Sequence, residues 1–348
     1  MSRPKRVLLV CPGRGSYRPN TLGYLKGRGE TIDALVQTCD EHRLQQDLPT
    51  ITELDSAKKF SGRLHVAGEN ASLLTFTCSM ADQMQLNPDY EIVGVMGNSM
   101  GFYTALAVSN ALTVADTIRL IETMAAFQKK NVIGGQVMYP ITGENWQTDV
   151  VRLQSVEDAI QQARDAGHEA YWSINLGSHA VLGADRKGLK FLLKALPELE
   201  IGSRTFPIQL PLHSAFHTPL MQETSEKALS ALEGLEFSAP SIPLIDGRGH
   251  VFRPHWASPD ALKAYTLTEQ VYQPYQFKTS LETALHHCAP DIIAALGPGN
   301  ALGGPVVRSL VQIGWRGLKS PGEFDSVQQS NPMFLSFGVT MQRAHLVK

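Results

Sequence analysis

The sequence predicts an α/β protein built on a parallel sheet, and three observations carry that prediction. Apolar runs at residues 7–11, 92–96 and 292–296 each end in a glycine-rich turn. Helical periodicity follows the first two turns. Residues 134–206 change character, to short strands alternating with two helices. Strand, tight turn and helix in that order wind a parallel sheet. The altered middle reads as a small α+β module of ferredoxin-like type set inside the larger fold.

In chain order, the strand at 7–11 runs into Pro12-Gly13-Arg14-Gly15-Ser16, where two glycines mark a turn. Helical patterns follow around 31–45 and 71–85. A second apolar strand, 92–96, ends at Gly97, and small and apolar faces predict helices at 100–109 and 114–130. In the middle, strands are expected at 136–141, 170–174, 180–183 and 206–210, with helices at 156–166 and 186–196. The last part reads as helix 219–235, strand 244–246, a long polar loop, helix 275–286 and strand 292–296. The division is therefore a large domain of residues 1–133 and 207–348, interrupted by a module at 134–206.

Composition excludes several classes of function. A chain of 348 residues with 43% hydrophobic content can bury a large core. The 31 basic residues face 33 acidic ones, so no excess of positive charge is available to neutralise a nucleic-acid backbone. Four cysteines lie far apart, without zinc-ligand spacing or the density of a disulfide framework, so neither a metal site nor crosslinks are expected. The apolar run after the basic start is too short for a signal peptide, and no stretch is long enough to span a membrane. A cytoplasmic location follows as the expectation.

The sharpest local signal is Gly97-Asn98-Ser99-Met100-Gly101, between an apolar strand and a helix. Glycines on both sides of a serine allow the strained turn that lifts a hydroxyl out of the backbone. The helix start behind it offers free N–H groups to a developing oxyanion. The competing reading is a helix-capping serine in a structural turn. A nucleophilic serine needs a base. Of 11 histidines, His217 stands out because it follows a loop and opens a helix; His213, in the same loop, is its main rival. No phosphate-loop pattern occurs at any of the glycine-rich turns.

Taken together, these segments resemble the malonyl-CoA:acyl carrier protein transacylase family, from about residue 6 to about residue 310. Cys11-Pro12-Gly13-Arg14-Gly15-Ser16 is similar to its F-P-G-Q-G-S, and the Ser99 segment to G-H-S-x-G. Ala215-Phe216-His217-Thr218-Pro219-Leu220-Met221 is close to A-F-H-S-P-L-M, and Gly297-Pro298-Gly299 falls at the late G-P-G. The resemblance implies an α/β-hydrolase-like large domain with a ferredoxin-like subdomain and a cleft between them. It implies Ser99 as nucleophile and His217 as general base. Backbone N–H groups of Arg14 and Met100 become the oxyanion hole. A main-chain carbonyl orients the histidine in the family; the segment Pro243–Gly247 falls at that place, which makes Asp246 the expected orienter. The implied substrates are CoA or carrier-protein thioesters, with acyl carrier protein as partner and no bound cofactor, in fatty-acid or polyketide biosynthesis.

Departures from the family pattern bear on acyl selection. Members that use malonyl groups carry an arginine that clamps the free carboxylate, in a helix after the serine. Aligning that helix puts Met124 at the arginine position, and a thioether cannot replace a bidentate guanidinium. Arg119, Lys129 and Lys130 fall on other faces of the helix. Arg14 stands where glutamine is usual and could itself hold a carboxylate. Asn70, Phe216 and Met124 are expected to line the substrate pocket. The expectation is transfer of a non-malonyl acyl group through acyl-Ser99. The alternatives are an acyl-carrier-protein hydrolase that removes wrongly loaded chains, malonyl transfer with Arg14 as clamp, and an inactive carrier-binding scaffold.

Overall fold

The computed structural model describes residues 3–130 and 132–348, without the side chains of Lys129 and Lys130. The side chains of those two lysines, considered above as substitute cations, and the first two residues of the basic start lie outside what is described.

The strands are β1 (Lys5–Cys11), β2 (Tyr90–Gly97), β3 (Gly135–Pro140), β4 (Ala170–Asn175), β5 (His179–Ala184), β6 (Leu199–Ile201), β7 (Arg204–Phe206), β8 (Ile208–Leu210), β9 (Leu244–Ile245), β10 (Val251–Phe252), β11 (Ile292–Ala295) and β12 (Phe334–Ser336). Six form the large sheet, in the order β10-β9-β2-β1-β11-β12. All its pairings are parallel except the short β9–β10 hairpin. β1 lies at the centre, and Val7, Leu8, Leu9, Val10 and Cys11 are wholly buried. A continuous apolar run is what a strand covered on both faces requires. The register pairs Cys11 with Gly97 and Val10 with Ala295, so the three glycine-rich turns leave the sheet side by side at its carboxyl edge.

The second sheet is antiparallel, in the order β4-β5-β3-β8. Helices Val150–Asp165 and Arg186–Ala195 complete a ferredoxin-like βαββαβ unit with its own core around Val137, Tyr139, Ile160, Leu182 and Leu192. The single strand expected at 206–210 is divided at Pro207. β7 pairs with β6 in a separate hairpin, and β8 pairs with β3. Proline has no N–H to continue a ladder. Because β8 belongs to the small sheet, we propose 134–210 rather than 134–206 as the extent of the module.

Two further differences follow from short-range chemistry. Residues expected as a polar loop contain the helices Pro259–Leu267 and Glu269–Tyr272. Ser258 caps the first by accepting from the Ala261 N–H, with proline at the first helical position, a start signal present in the sequence. The helix expected over 219–235 begins as a 3₁₀ turn, Pro219–Met221, and continues as Gln222–Ala231.

Candidate active site

Ser99 lies at the end of β2, in the turn before the helix Gly101–Val108, with φ of 54°. The turn is tight enough to exclude any side chain at either flanking glycine. A Cβ on Gly97 would strike the Gly101 backbone, and one on Gly101 would strike the Cys11 carbonyl. Only glycine permits that approach. The strained serine, of order 1–3 kcal/mol for such a conformation, is held because the strand and helix on either side are both buried.

His217 reaches the serine from the loop after β8. Its Nε2 is 2.7 Å from Ser99 Oγ, and its Nδ1 is 2.7 Å from the Gln270 carbonyl oxygen. Its own N–H donates to the Val271 carbonyl, and its ring meets the Tyr275 ring edge-on at 5.4 Å. The Gln270 carbonyl can only accept, so Nδ1 carries the proton and Nε2 presents a lone pair to the serine hydroxyl. Burial pushes the imidazole pKa down to about 4, partly offset by the bond to Gln270. The ring is thus neutral at neutral pH, the form that accepts a proton.

Gln270 is the residue that sequence reasoning missed. Besides orienting His217 through its carbonyl, it donates from Nε2 to the Ser99 carbonyl and accepts from the Tyr103 hydroxyl. The orienting group is a main-chain atom, so no residue type signals it. Asp246, expected in this role, makes no hydrogen bond to His217 among the described residues; its carbonyl accepts from the Ser280 hydroxyl. Its carboxylate caps its own turn, accepting from the Arg248 and His250 N–H groups and from the Arg248 guanidinium. An aspartate closing a local turn over its own backbone is a common use of that side chain.

The other expected residues divide. Ser99, Met100, Met124, Phe216 and Arg14 line one cavity of about 740 Å³. Asn70 does not reach it. Its amide is buried beneath, accepting from Arg43 Nη2 at 2.5 Å and donating to the Leu64 carbonyl. Arg43 is itself fully buried and paired with Glu122 at 2.5 Å, and a buried charge of this kind claims the polar groups around it. His213, the rival base, accepts at Nε2 from Arg14 Nε and is engaged at Nδ1 with the Pro211 carbonyl.

The cavity has two kinds of wall. Ile121, Met124, Met138, Ile174, Val181 and Phe216 make an apolar lining. Arg18, Arg204 and Arg308 also face it, and among the described residues none of the three has a carboxylate partner. His179 beside them is pushed down to about 4 by burial and by Arg308 and Arg204. Among the described residues neither the Arg14 nor the Met100 N–H donates to a protein acceptor. No group of three or more His, Cys, Asp or Glu among them could hold a metal, and no helix is long and apolar enough to cross a membrane.

A parallel α/β sheet that presents a strained serine to a buried, neutral imidazole beside a long cleft defines an acyl-transfer enzyme with a serine at its centre. The chain is 30% identical over 290 residues to the malonyl CoA-acyl carrier protein transacylase of Buchnera aphidicola, covering 80% of this chain and 84% of that one. It is 23% identical over 312 residues to the Bacillus subtilis protein of the same name, covering 86% and 89%. A malonyl-transacylase solved in complex with its type II polyketide-synthase acyl carrier protein has the same fold, with a TM-score of 0.70, 18% identity and coverage of 88% and 94%. No family model matches the chain. The chain belongs to the malonyl-CoA:acyl carrier protein transacylase family, whose members are acyltransferases.

Proposed function

We propose that the protein moves a neutral acyl group from a CoA or carrier-protein thioester to the phosphopantetheine thiol of an acyl carrier protein, in the cytoplasm and without a bound cofactor. Ser99 Oγ attacks the thioester carbonyl carbon while His217 Nε2 takes its proton. The oxyanion is received by the Arg14 and Met100 N–H groups. The C–S bond breaks, the leaving thiolate takes the proton from His217, and acyl-Ser99 remains. A second thiol then gives its proton to His217, attacks the ester carbonyl, and serine leaves with that proton returned.

The observation that carries the choice of acyl group is Met124, buried in the cavity wall among Ile121, Ala125 and Phe216. Placing a malonyl carboxylate against that thioether costs several kcal/mol, because a buried charge without a partner loses its hydration. Arg18, Arg204 and Arg308, without a carboxylate partner among the described residues, suit the phosphates that CoA and the carrier arm share. One specific observation favours malonyl transfer instead. The Arg14 guanidinium lines the same cavity and has five N–H donors, of which three are matched among the described residues.

Intact-protein mass spectrometry after mixing with acetyl-, malonyl-, butyryl- and octanoyl-CoA decides between them. The added mass identifies the group directly. A malonyl adduct that forms as readily as the neutral ones would sink the neutral-acyl reading. Passage of the adduct to an empty carrier protein means transfer; its loss to water means hydrolysis.

A further inference from the structure

We infer that Arg14 is a positioning residue whose side chain, by bridging three separate segments, holds the oxyanion loop in register with the catalytic base. The inference rests on the proposed acyl-Ser99 chemistry. Arg14 sits in the turn after β1, and its backbone N–H is the group assigned to the oxyanion. Its guanidinium leaves that turn and is gripped at three points. Nη1 donates to Gln128 Oε1, Nη2 donates to the Leu212 carbonyl at 2.7 Å, and Nε donates to His213 Nε2 at 3.3 Å. Gln128 closes the arrangement by donating from Nε2 to the same Leu212 carbonyl at 2.8 Å.

The three grips fall in two other parts of the site. Gln128 is one turn beyond Met124 on the helix Val114–Lys130, so the two share a face toward the cavity. Leu212 and His213 belong to the segment that leads from β8 into His217, and Leu212 holds a left-handed φ of 56°. The bridge therefore ties the oxyanion loop, the helix that lines the acyl pocket and the approach to the base into one frame.

The surroundings are shaped for this side chain. Gly68, at the start of the helix Gly68–Met84, leaves the space that the guanidinium occupies. A Cβ there would stand 2.5 Å from Arg14 Nη1 and 2.7 Å from Gln128 Oε1. His213 is matched in its protonation. Burial and the adjacent Arg14 charge push its pKa down to about 3, so Nε2 keeps the lone pair that Arg14 Nε needs. Burial also lowers the Arg14 pKa, to about 10, and the group remains a cation at neutral pH.

A donor held by its own side chain is preorganised, and losing such order costs transition-state stabilisation while leaving ground-state binding intact. The test compares the wild type with Arg14→Met, Arg14→Lys and Gly68→Ala. Ser99 acylation is followed by rapid-quench mass spectrometry with acetyl-CoA and malonyl-CoA, and folding by thermal melting. Gly68→Ala keeps the arginine and displaces its head together with the Gln128 amide that grips it. Arg14→Met and Gly68→Ala are expected to slow acylation roughly 10–100-fold with both donors, at nearly unchanged KM, in variants that melt within a few degrees of the wild type. Arg14→Lys should recover part of the rate. Unchanged acylation in Arg14→Met overturns the inference. So does a rise in KM confined to malonyl-CoA, which would make Arg14 a carboxylate contact. A slower rate that merely follows loss of folded protein would also overturn it, by reducing Arg14 to a structural role. Failure of the wild type to form any Ser99 adduct would instead remove the acyl-enzyme reading on which the inference stands.

Discussion

Ser99 and His217 meet with Oγ and Nε2 2.7 Å apart, and both hold left-handed backbone, with φ of 54° and 60°. Two non-glycine residues in that region, facing one another, hold strain that the surrounding structure must sustain. The serine is held by a buried strand and helix, and the histidine by Val271, Gln270 and Tyr275.

Ser99→Ala should form no acyl-enzyme with any thioester, and turnover should fall by about 10⁴-fold or more. In the proposed mechanism the hydroxyl is the attacking atom, and no neighbouring group can replace it. An unchanged adduct mass in the variant after incubation with acyl-CoA would place the nucleophile elsewhere.

The rate of Ser99 acylation should persist well below the pH at which an ordinary histidine protonates. With its pKa near 4, His217 stays neutral and able to accept a proton at pH 5 and fails only as pH approaches 4. Stability, unlike the rate, changes across much of that range. Between about pH 6.5 and 4 the unfolded chain binds a proton that the folded imidazole refuses, so stability falls as pH falls. By linkage this one group accounts for about 2 kcal/mol between pH 7 and pH 5. Urea melts at the two pH values measure it, and pH–rate profiles locate the kinetic pKa. A rate that already halves near pH 6.5 would contradict the burial argument.

Met124→Arg should raise malonyl transfer relative to acetyl transfer by about tenfold or more, the worth of a bidentate charge-assisted pair. The ratio of the two kcat/KM values is the measurement. An unaltered ratio would mean that the acyl group does not lie against this part of the helix.

Asp246→Ala is expected to leave the pH–rate profile of acylation in place, since the aspartate caps its own turn and the Gln270 carbonyl orients His217. Gln270→Ala retains that carbonyl but loses the bonds to Ser99 and Tyr103, and should lower kcat without displacing the kinetic pKa. A shifted pKa in Asp246→Ala would bring the carboxylate into the catalytic machinery.

Removing Asp82 should destabilise the whole chain. Its wholly buried carboxylate pairs with Arg28 at 2.7 Å and Arg343 at 3.1 Å, and accepts from the Tyr24 hydroxyl and the Gly297 N–H. Asp82→Ala leaves two arginines without their partner, a loss of about 3–5 kcal/mol. Chemical denaturation measures it. A loss below about 1 kcal/mol would show that the carboxylate does not hold the Gly297 turn.

The parallel sheet was legible because β1, β2 and β11 are short, apolar and closed by glycine, and no other element class suits that pattern. The small module was legible from its alternation, yet β8 was merged with β7 because the pattern does not show which partner each half of a strand will take. The helices after Ser258 were missed through overall polarity, despite the Ser-Pro start signal. Asn70 was misplaced for a different reason. Sequence position brings it near the pocket, but the buried Arg43 holds its amide beneath the wall. The strand Phe334–Ser336 lies beyond the part of the chain that the motifs cover, and it pairs with β11 at the sheet edge.

The sequence by itself determined the two side chains that meet, Ser99 and His217, and the turns that carry them. A strained serine elbow needs glycines at fixed neighbouring positions, and that is a local requirement written in consecutive residues. Only the tertiary structure decided what orients the base, where Arg14 sends its guanidinium, and which of Asn70, Met124 and Phe216 face the cleft. Those outcomes depend on main-chain atoms and on buried charges brought together from distant segments. A carbonyl such as that of Gln270 is identical in every residue type, so its role arises only when folding places it 2.7 Å from His217.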